Sequence, residues 1–263
     1  MKNISGIAIL STGFTGIDNL LNGIHPGNLI VVASRPGVGK TSFALSILKN
    51  FLIVSEKAAL IFSIETPADQ LALRILACEV KEDINILKGG DFNNDKSKNF
   101  FEAVDKLSGK QIFIDDAPLQ SIAQIKEKAN ATNIKASLGL IIIDYLQLIN
   151  RDLSASRHEQ LENIVLEIKQ MALELKCPVL LLTMLMNNEN KNPQLSDLDR
   201  IGSIGQVADI VMFLQKTGSF VHDITAHELI NVVVAKSCNY KTGSAHLVLK
   251  KECYCFEDSN QLI

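Results

Sequence analysis

Ser34-Arg35-Pro36-Gly37-Val38-Gly39-Lys40-Thr41 follows the apolar run Leu29–Ala33 and opens the helix candidate Thr41–Val54. A strand, a glycine turn and a helix in that order let successive backbone N–H groups curl round a phosphate, with the partial positive charge of the helix N-terminus behind them. The stretch therefore predicts a P-loop. Ser34, Arg35, Pro36, Gly37, Val38, Gly39, Lys40, Thr41 and the following Ser42 are the candidate nucleotide contacts. Lys40 is expected to reach the β- and γ-phosphates as a catalytic cation, and Thr41 to hold Mg2+. Ser34 stands where the pattern usually has its first glycine.

A P-loop needs an acid for its metal, and the apolar run Leu138–Ile143 delivers Asp144 at its carboxyl end, the edge where ligands sit in open α/β sheets. Tyr145 follows, so a catalytic Glu directly beside the metal acid is absent. The base must come from another strand end. Glu65 ends the apolar strand Ala59–Ile64, whereas Asp115 and Asp116 end Gln111–Ile114. Glu65 is the best candidate, because it emerges at the same edge as the P-loop and Asp144 and could there orient and activate water, with Asp115 and Asp116 as its rivals.

Outward from the loop, short continuous apolar runs alternate with longer amphipathic stretches, the pattern of strands buried on both faces between helices. The strand candidates are Leu29–Ala33, Ala59–Ile64, Gln111–Ile114, Leu138–Ile143, Pro178–Thr183 and Asp209–Leu214. Helix candidates are Thr41–Val54, Pro67–Cys78, Ile122–Lys135 and Arg157–Lys176. Thr66-Pro67 with Asp69 predicts an N-cap hydroxyl ahead of the second helix, and Ser121 with Gln124 a capping box ahead of the third. Beyond residue 205 only strand-like runs follow, Leu229–Ala235, Ala245–Lys250 and Glu252–Phe256. Gly89–Lys98 and Asn187–Gly205 lack an apolar period and are expected to be loops. The fold class predicted is α/β, a mainly parallel sheet between helices with an antiparallel C-terminal extension, in one domain over residues 1–263.

Composition excludes other classes. Of 263 residues 47% are hydrophobic and 21% charged, too apolar for disorder, and the formal net charge of −3 argues against a general polyanion-binding coat. The five cysteines, Cys78, Cys177, Cys238, Cys253 and Cys255, lack the spacing of a zinc site or a disulfide framework. With no signal-peptide pattern in Met1–Leu10 and no apolar stretch near the roughly 20 residues of a membrane span, a cytoplasmic protein without a membrane partner is expected. Arg157, Lys169 and the five histidines, His25, His158, His222, His227 and His246, form no ligand pattern and are expected to be surface or packing residues.

Gly13-Phe14-Thr15-Gly16-Ile17-Asp18-Asn19-Leu20, the Ser34–Thr41 loop, Phe62-Ser63-Ile64-Glu65, Ile141-Ile142-Ile143-Asp144-Tyr145-Leu146-Gln147 and Ser196-Asp197-Leu198 occur in that order. Together they resemble the C-terminal motor domain of bacterial replicative DNA helicases of the DnaB family. The resemblance runs from about Ser11 to the last strand. It implies a RecA-like P-loop NTPase fold, ATP and Mg2+ as ligands, Glu65 as the base, a homo-oligomeric hexameric ring, translocation on single-stranded DNA, and contact with other replication proteins.

Several positions depart from that pattern. A family Ser-Gln pair, whose Gln senses the γ-phosphate, reads Thr183-Met184 here, and a thioether cannot donate that hydrogen bond. A Lys-x-Arg pair reaching the neighbouring subunit's ATP site reads Lys236-Ser237-Cys238, so only Lys236 remains as a catalytic cation in trans; an arginine finger is worth about 10³–10⁵ in rate in GTPase systems. In the DNA-contacting loop the family's Arg-Glu pair reads Asp199-Arg200, leaving Lys191, Arg200 and Gly202 as the candidate DNA contacts. With 33 residues ahead of Ser34, the family's N-terminal domain and linker helix are not expected in this chain. Two functions follow: a DNA helicase motor of the replicative class that hydrolyses ATP, or a slow or inactive relative that binds ATP as a regulatory module. A recombinase-accessory ATPase is disfavoured by Ile143-Asp144-Tyr145-Leu146-Gln147.

Overall fold

The computed structural model describes residues 9–89, 94–149, 156–186, 192–199, 201–220, 227–238 and 240–259. Within them the strands are β1 (Leu29–Ser34), β2 (Ala58–Ser63), β3 (Ile112–Asp115), β4 (Leu138–Asp144), β5 (Val179–Met184), β6 (Ile210–Phe220), β7 (His227–Ser237), β8 (Gly243–Lys250) and β9 (Cys255–Asp258). The helices are α1 (Thr15–Leu21), α2 (Lys40–Val54), α3 (Ala68–Val80), α4 (Ile84–Gly89), α5 (Asn94–Ser108), α6 (Ile122–Lys135), α7 (Arg157–Leu175), α8 (Leu195–Asp199) and α9 (Ile204–Val207). All the strands form one sheet in the order β3-β2-β4-β5-β1-β6-β7-β8-β9. β3 to β6 are parallel to their neighbours, and β6 to β9 pair antiparallel.

The continuous apolar runs are explained by the pleat. Ile30, Val32, Ala59, Ile61, Leu140, Ile142, Leu180 and Leu182 pack on one face with α1, α2 and α3. Their neighbours Leu29, Val31, Ala58, Leu60, Ile141, Ile143, Val179 and Leu181 pack on the other with α6 and α7. Successive side chains point to opposite faces, so a strand covered on both must be apolar at every position. Along β7, by contrast, Ile230, Val232 and Val234 are buried and the residues between them only partly so. β7 is thus more fully covered on one face than on the other.

Four local expectations are corrected. Thr66 does not cap α3; Pro67 is the N-cap, without a side-chain cap, and the Ala68 N–H donates to Asp116 Oδ2 at 2.8 Å. A carboxylate from another strand end supplies what the local hydroxyl was expected to supply. The capping box of Ser121 and Gln124 forms as predicted. Asn94–Lys98, expected as loop, begins α5, and Asn187–Gly205 includes α8 and ends in the first turn of α9. α8 and α9 span 5 and 4 residues, too short to show a 3.6-residue period, and are held by burial of Leu198 and Ile204. The last predicted strand, Glu252–Phe256, begins only at Cys255; Tyr254, with φ +54°, closes a turn in which its N–H donates to Lys251 O.

Two packing assignments agree with expectation. Lys169 pairs with Asp209 at 2.7 Å, and buried His227 faces Glu252 at 3.1 Å. The cysteines are free, but Cys78, Cys253 and Cys255 share one apolar cluster. Among the described residues there is no group of three or more His, Cys, Asp or Glu that could hold a metal ion, and no helix is long and apolar enough to cross a membrane.

Candidate active site

β1 and β2 are successive in the chain yet separated in the sheet by β4 and β5. Their carboxyl ends therefore open a crevice at a topological switch point. The loop after β1 runs into that crevice. Gly37 has φ +73° and open space where a Cβ would stand, whereas Gly39, the N-cap of α2 with φ +103°, would set a Cβ 3.0 Å from Leu249 Cδ2. The first glycine frees room for a ligand and the second lets β8 close on the loop. Ser34, in the first-glycine position, is buried and its hydroxyl donates to Arg35 O at 2.8 Å.

Parallel pairing sets Ser63 of β2 beside Asp144 of β4, and the Ile64 N–H donates to Asp144 O at 2.9 Å. That bond delivers Glu65 to the same edge. Thr41 Oγ1 donates to Asp144 Oδ2 at 2.7 Å, although the two residues are 103 positions apart. Burial lifts the Asp144 carboxyl above its ordinary value, the Thr41 hydrogen bond pulls it down, and Glu65 adds to the lift. Burial likewise lowers Lys40, while Asp144 and Glu65 oppose the change. A cation and an acid at partly desolvated positions thus lie beside the exposed Glu65.

The cleft encloses about 1050 Å³, part of it open to solvent. Pro36, Gly37, Gly39, Lys40, Thr41, Ser42, Glu65 and Asp144 line it, whereas Val38 packs into the core instead. Met184 lines it from the end of β5, and Gln147 fastens that end, donating to Thr183 Oγ1 at 2.8 Å and Met184 O at 2.9 Å. The rivals of Glu65 are engaged elsewhere. Asp115 pairs with Lys128 at 2.6 Å and accepts from Gln120 at 3.0 Å, and Asp116 caps α3.

The structure does not bring Lys236 to this cleft. Lys236 pairs with Val211 near the start of β6, whereas Ser34, at the loop, pairs with Leu214 further along. Its ammonium donates to Gly205 O at 3.0 Å and Gln206 O at 2.8 Å, at the opposite edge of the sheet. Gly202, with φ +115°, lies against α7, where a Cβ would meet Glu162 N at 3.0 Å. Close packing is thus a sufficient reason for that glycine. Lys191 and Arg200 lie outside the described residues.

Arg74, Leu249, Lys251 and Tyr254 line the wall and escaped the sequence reading. Arg74, on α3, and Tyr254, after β8, face the same cleft with the guanidinium carbon 4.7 Å from the ring centre. Arg74 carries a weak local signal, lying on the helix that follows Glu65. Tyr254 carries none, because only sheet closure brings it there.

Residues 9–258 match the family model of the DnaB-like helicase C terminal domain. The chain belongs to this family. A DnaB-like relative, the replicative DNA helicase DnaC of Bacillus subtilis (strain 168), is 35% identical over 256 residues, which is 95% of this chain and 56% of that protein. The chain thus spans about half the length of the curated relatives it matches. A solved DnaB-like replicative helicase, described with its interactions with primase, superposes with a TM-score of 0.87 at 28% identity, covering 97% of this chain and 62% of that one. A solved ATPase domain, also 28% identical, gives 0.86 and covers 95% of this chain and 90% of its own. The DnaB-like fold assigned from the sequence is the fold observed, RecA-like with an antiparallel extension.

Proposed function

We propose that residues 1–263 form a single ATPase motor domain of a replicative DNA helicase, which hydrolyses ATP and moves on single-stranded DNA as a homo-oligomeric, hexameric ring. The observation that carries this reading is the Thr41–Asp144 contact at 2.7 Å beside Lys40 and Glu65. A hydroxyl and a carboxylate are hard oxygen donors, the set that suits Mg2+. Thr41 and Asp144 would hold the ion, and when bound it offsets phosphate charge. The backbone from Ser34 to Ser42 cradles the phosphates, Lys40 takes the β- and γ-oxygens, and Glu65 accepts a proton from water aimed in line at the γ-phosphorus. Lys236 serves a neighbouring subunit's site, since its own edge of the sheet is remote from its own loop. Lys191 and Arg200 contact the DNA backbone, beside Gly202. Primase or another replication protein is the proposed further partner, in a reducing cytoplasm.

The test is steady-state ATP hydrolysis with and without single-stranded DNA, with Glu65→Gln as the blank. Stimulation by DNA supports a motor. Binding of ATP without turnover above the blank overturns it in favour of a nucleotide-gated binding module.

Two smaller predictions belong here. Asp116→Ala strips α3 of its cap and is expected to cost about 1 kcal/mol in urea unfolding, with turnover per folded molecule unchanged. A stable variant that loses turnover makes Asp116 the base. For Asp144 the linkage runs opposite to that of an ion-paired acid. A raised carboxyl binds its proton more tightly folded than unfolded, so its charged form costs stability as pH rises through that range. Asp144→Asn keeps an oxygen for Thr41 and is expected to raise the melting temperature of the nucleotide-free chain by about 2 °C. It should also lose the added stabilisation by Mg·ATP over ATP alone. Calorimetry reads both, and a lower melting temperature refutes the buried-charge account.

A further inference from the structure

Three cations, Lys40, Arg74 and Lys251, line the cleft against two acids, Glu65 and Asp144. Lys251 is tied to Glu228 at 2.5 Å. Arg74, like Lys40, is not tied in that way. Among the described residues it has no ion-pair or hydrogen-bond partner, and its near neighbour is the Tyr254 ring at 4.7 Å. Stacking uses the face of a guanidinium and leaves its donors, which lie in the plane, able to take anion oxygens two at a time.

Tyr254 is anchored on both sides. Cys253 and Cys255 are each 0% exposed and pack with Ala77 and Cys78 of α3, one turn beyond Arg74. Lys49 Nζ donates to Cys255 Sγ at 3.6 Å, and the Phe256 N–H donates to Ser46 Oγ at 2.9 Å. Lys49 and Ser46 belong to α2, the helix that opens at Lys40. The turn bearing Tyr254 is thus bolted to both the phosphate-loop helix and the helix that carries Arg74. A ring on so rigid a support restricts a long, rotamer-rich side chain before any ligand arrives.

We propose that Tyr254 is a positioning residue for the nucleotide: its ring holds Arg74 at the cleft wall, where the guanidinium takes phosphate oxygens of a nucleoside triphosphate. This rests on the ATPase reading above. Tyr254 acts through Arg74 and touches no phosphate itself. The ring face is the operative part, so Phe serves as well as Tyr and an aliphatic side chain does not.

A double-mutant cycle on nucleotide binding tests this, with the non-hydrolysable triphosphate adenylyl imidodiphosphate as probe, Mg2+ present and ADP in parallel. Tyr254→Leu is expected to weaken the triphosphate about fivefold, the change that about 1 kcal/mol of cation–π attraction represents. Tyr254→Phe should stay within twofold of the parent chain, and ADP should be affected less than the triphosphate. In an Arg74→Ala background, Tyr254→Leu should add less than twofold. Equal weakening in both backgrounds overturns the proposal and makes Tyr254 a direct contact of the nucleoside. A fivefold loss in Tyr254→Phe also overturns it, because the hydroxyl would then be the operative group. If the unmutated chain binds neither nucleotide, the ATPase reading itself fails, and Arg74 loses its ligand with it. If that chain binds both and Tyr254→Leu is neutral, this inference alone fails.

Discussion

Glu65→Gln should bind Mg·ATP within about twofold of the unmutated chain while hydrolysing it at least about 10²-fold more slowly, the lower end of what a positioned general base contributes. The side chain keeps its size and an oxygen, so the cleft keeps its shape, but the amide cannot accept the proton of an attacking water. Removing a negative charge beside Asp144 also relieves part of what lifts that carboxyl, so metal binding should not suffer. Equilibrium binding and steady-state turnover on one preparation separate the two effects. If turnover stays near the parent rate, the base lies elsewhere. Asp115 and Asp116 are then poor substitutes, one being paired with Lys128 and the other capping α3.

Lys40→Ala should lose nucleotide binding by about 10²-fold or more, as expected when charge-assisted hydrogen bonds to phosphate are removed from a partly desolvated site. It should not unfold the chain. Burial lowers Lys40, which means that the folded state already carries the cost of that charge. Taking the charge away removes the cost but raises Asp144 further, because Lys40 is among the groups holding it down. The clearest readout is ligand-induced stabilisation. A ligand at 100 times its dissociation constant stabilises by about 2.7 kcal/mol, a melting shift of about 5–10 °C for a domain of this size. That shift should vanish in Lys40→Ala while the nucleotide-free melting temperature barely moves. A variant that keeps the shift would remove Lys40 from the binding machinery.

Much of this architecture was readable because it is written locally. The run Leu140–Ile143 is apolar at every position, as a strand covered on both faces requires, and it ends on Asp144. Ile122–Lys135 has the bounds read from its period and its capping box. The loop from Ser34 to Thr41 announces phosphate chemistry through glycine placement and a following helix. α8 and α9 were missed because one or two buried apolar residues on a polar segment give no measurable period, whereas α5 was missed although Phe100, Ala103, Val104 and Leu107 recur at three- and four-residue steps. The α3 cap was misassigned because Thr66 was a plausible donor site and the actual partner, Asp116, lies 48 residues away.

By itself, then, the sequence determined most of the strands and that Lys40, Thr41, Glu65 and Asp144 meet at one edge of the sheet. Period, helix signals and strand-end residues are properties of neighbours in the chain. Only the tertiary structure decided the strand order that separates β1 from β2 and opens the crevice, the seating of Lys236 at the far edge, and the meeting of Arg74 with Tyr254. Each of those depends on register between segments distant along the chain, and such pairings are selected by total burial and hydrogen bonding across the fold rather than by any local pattern.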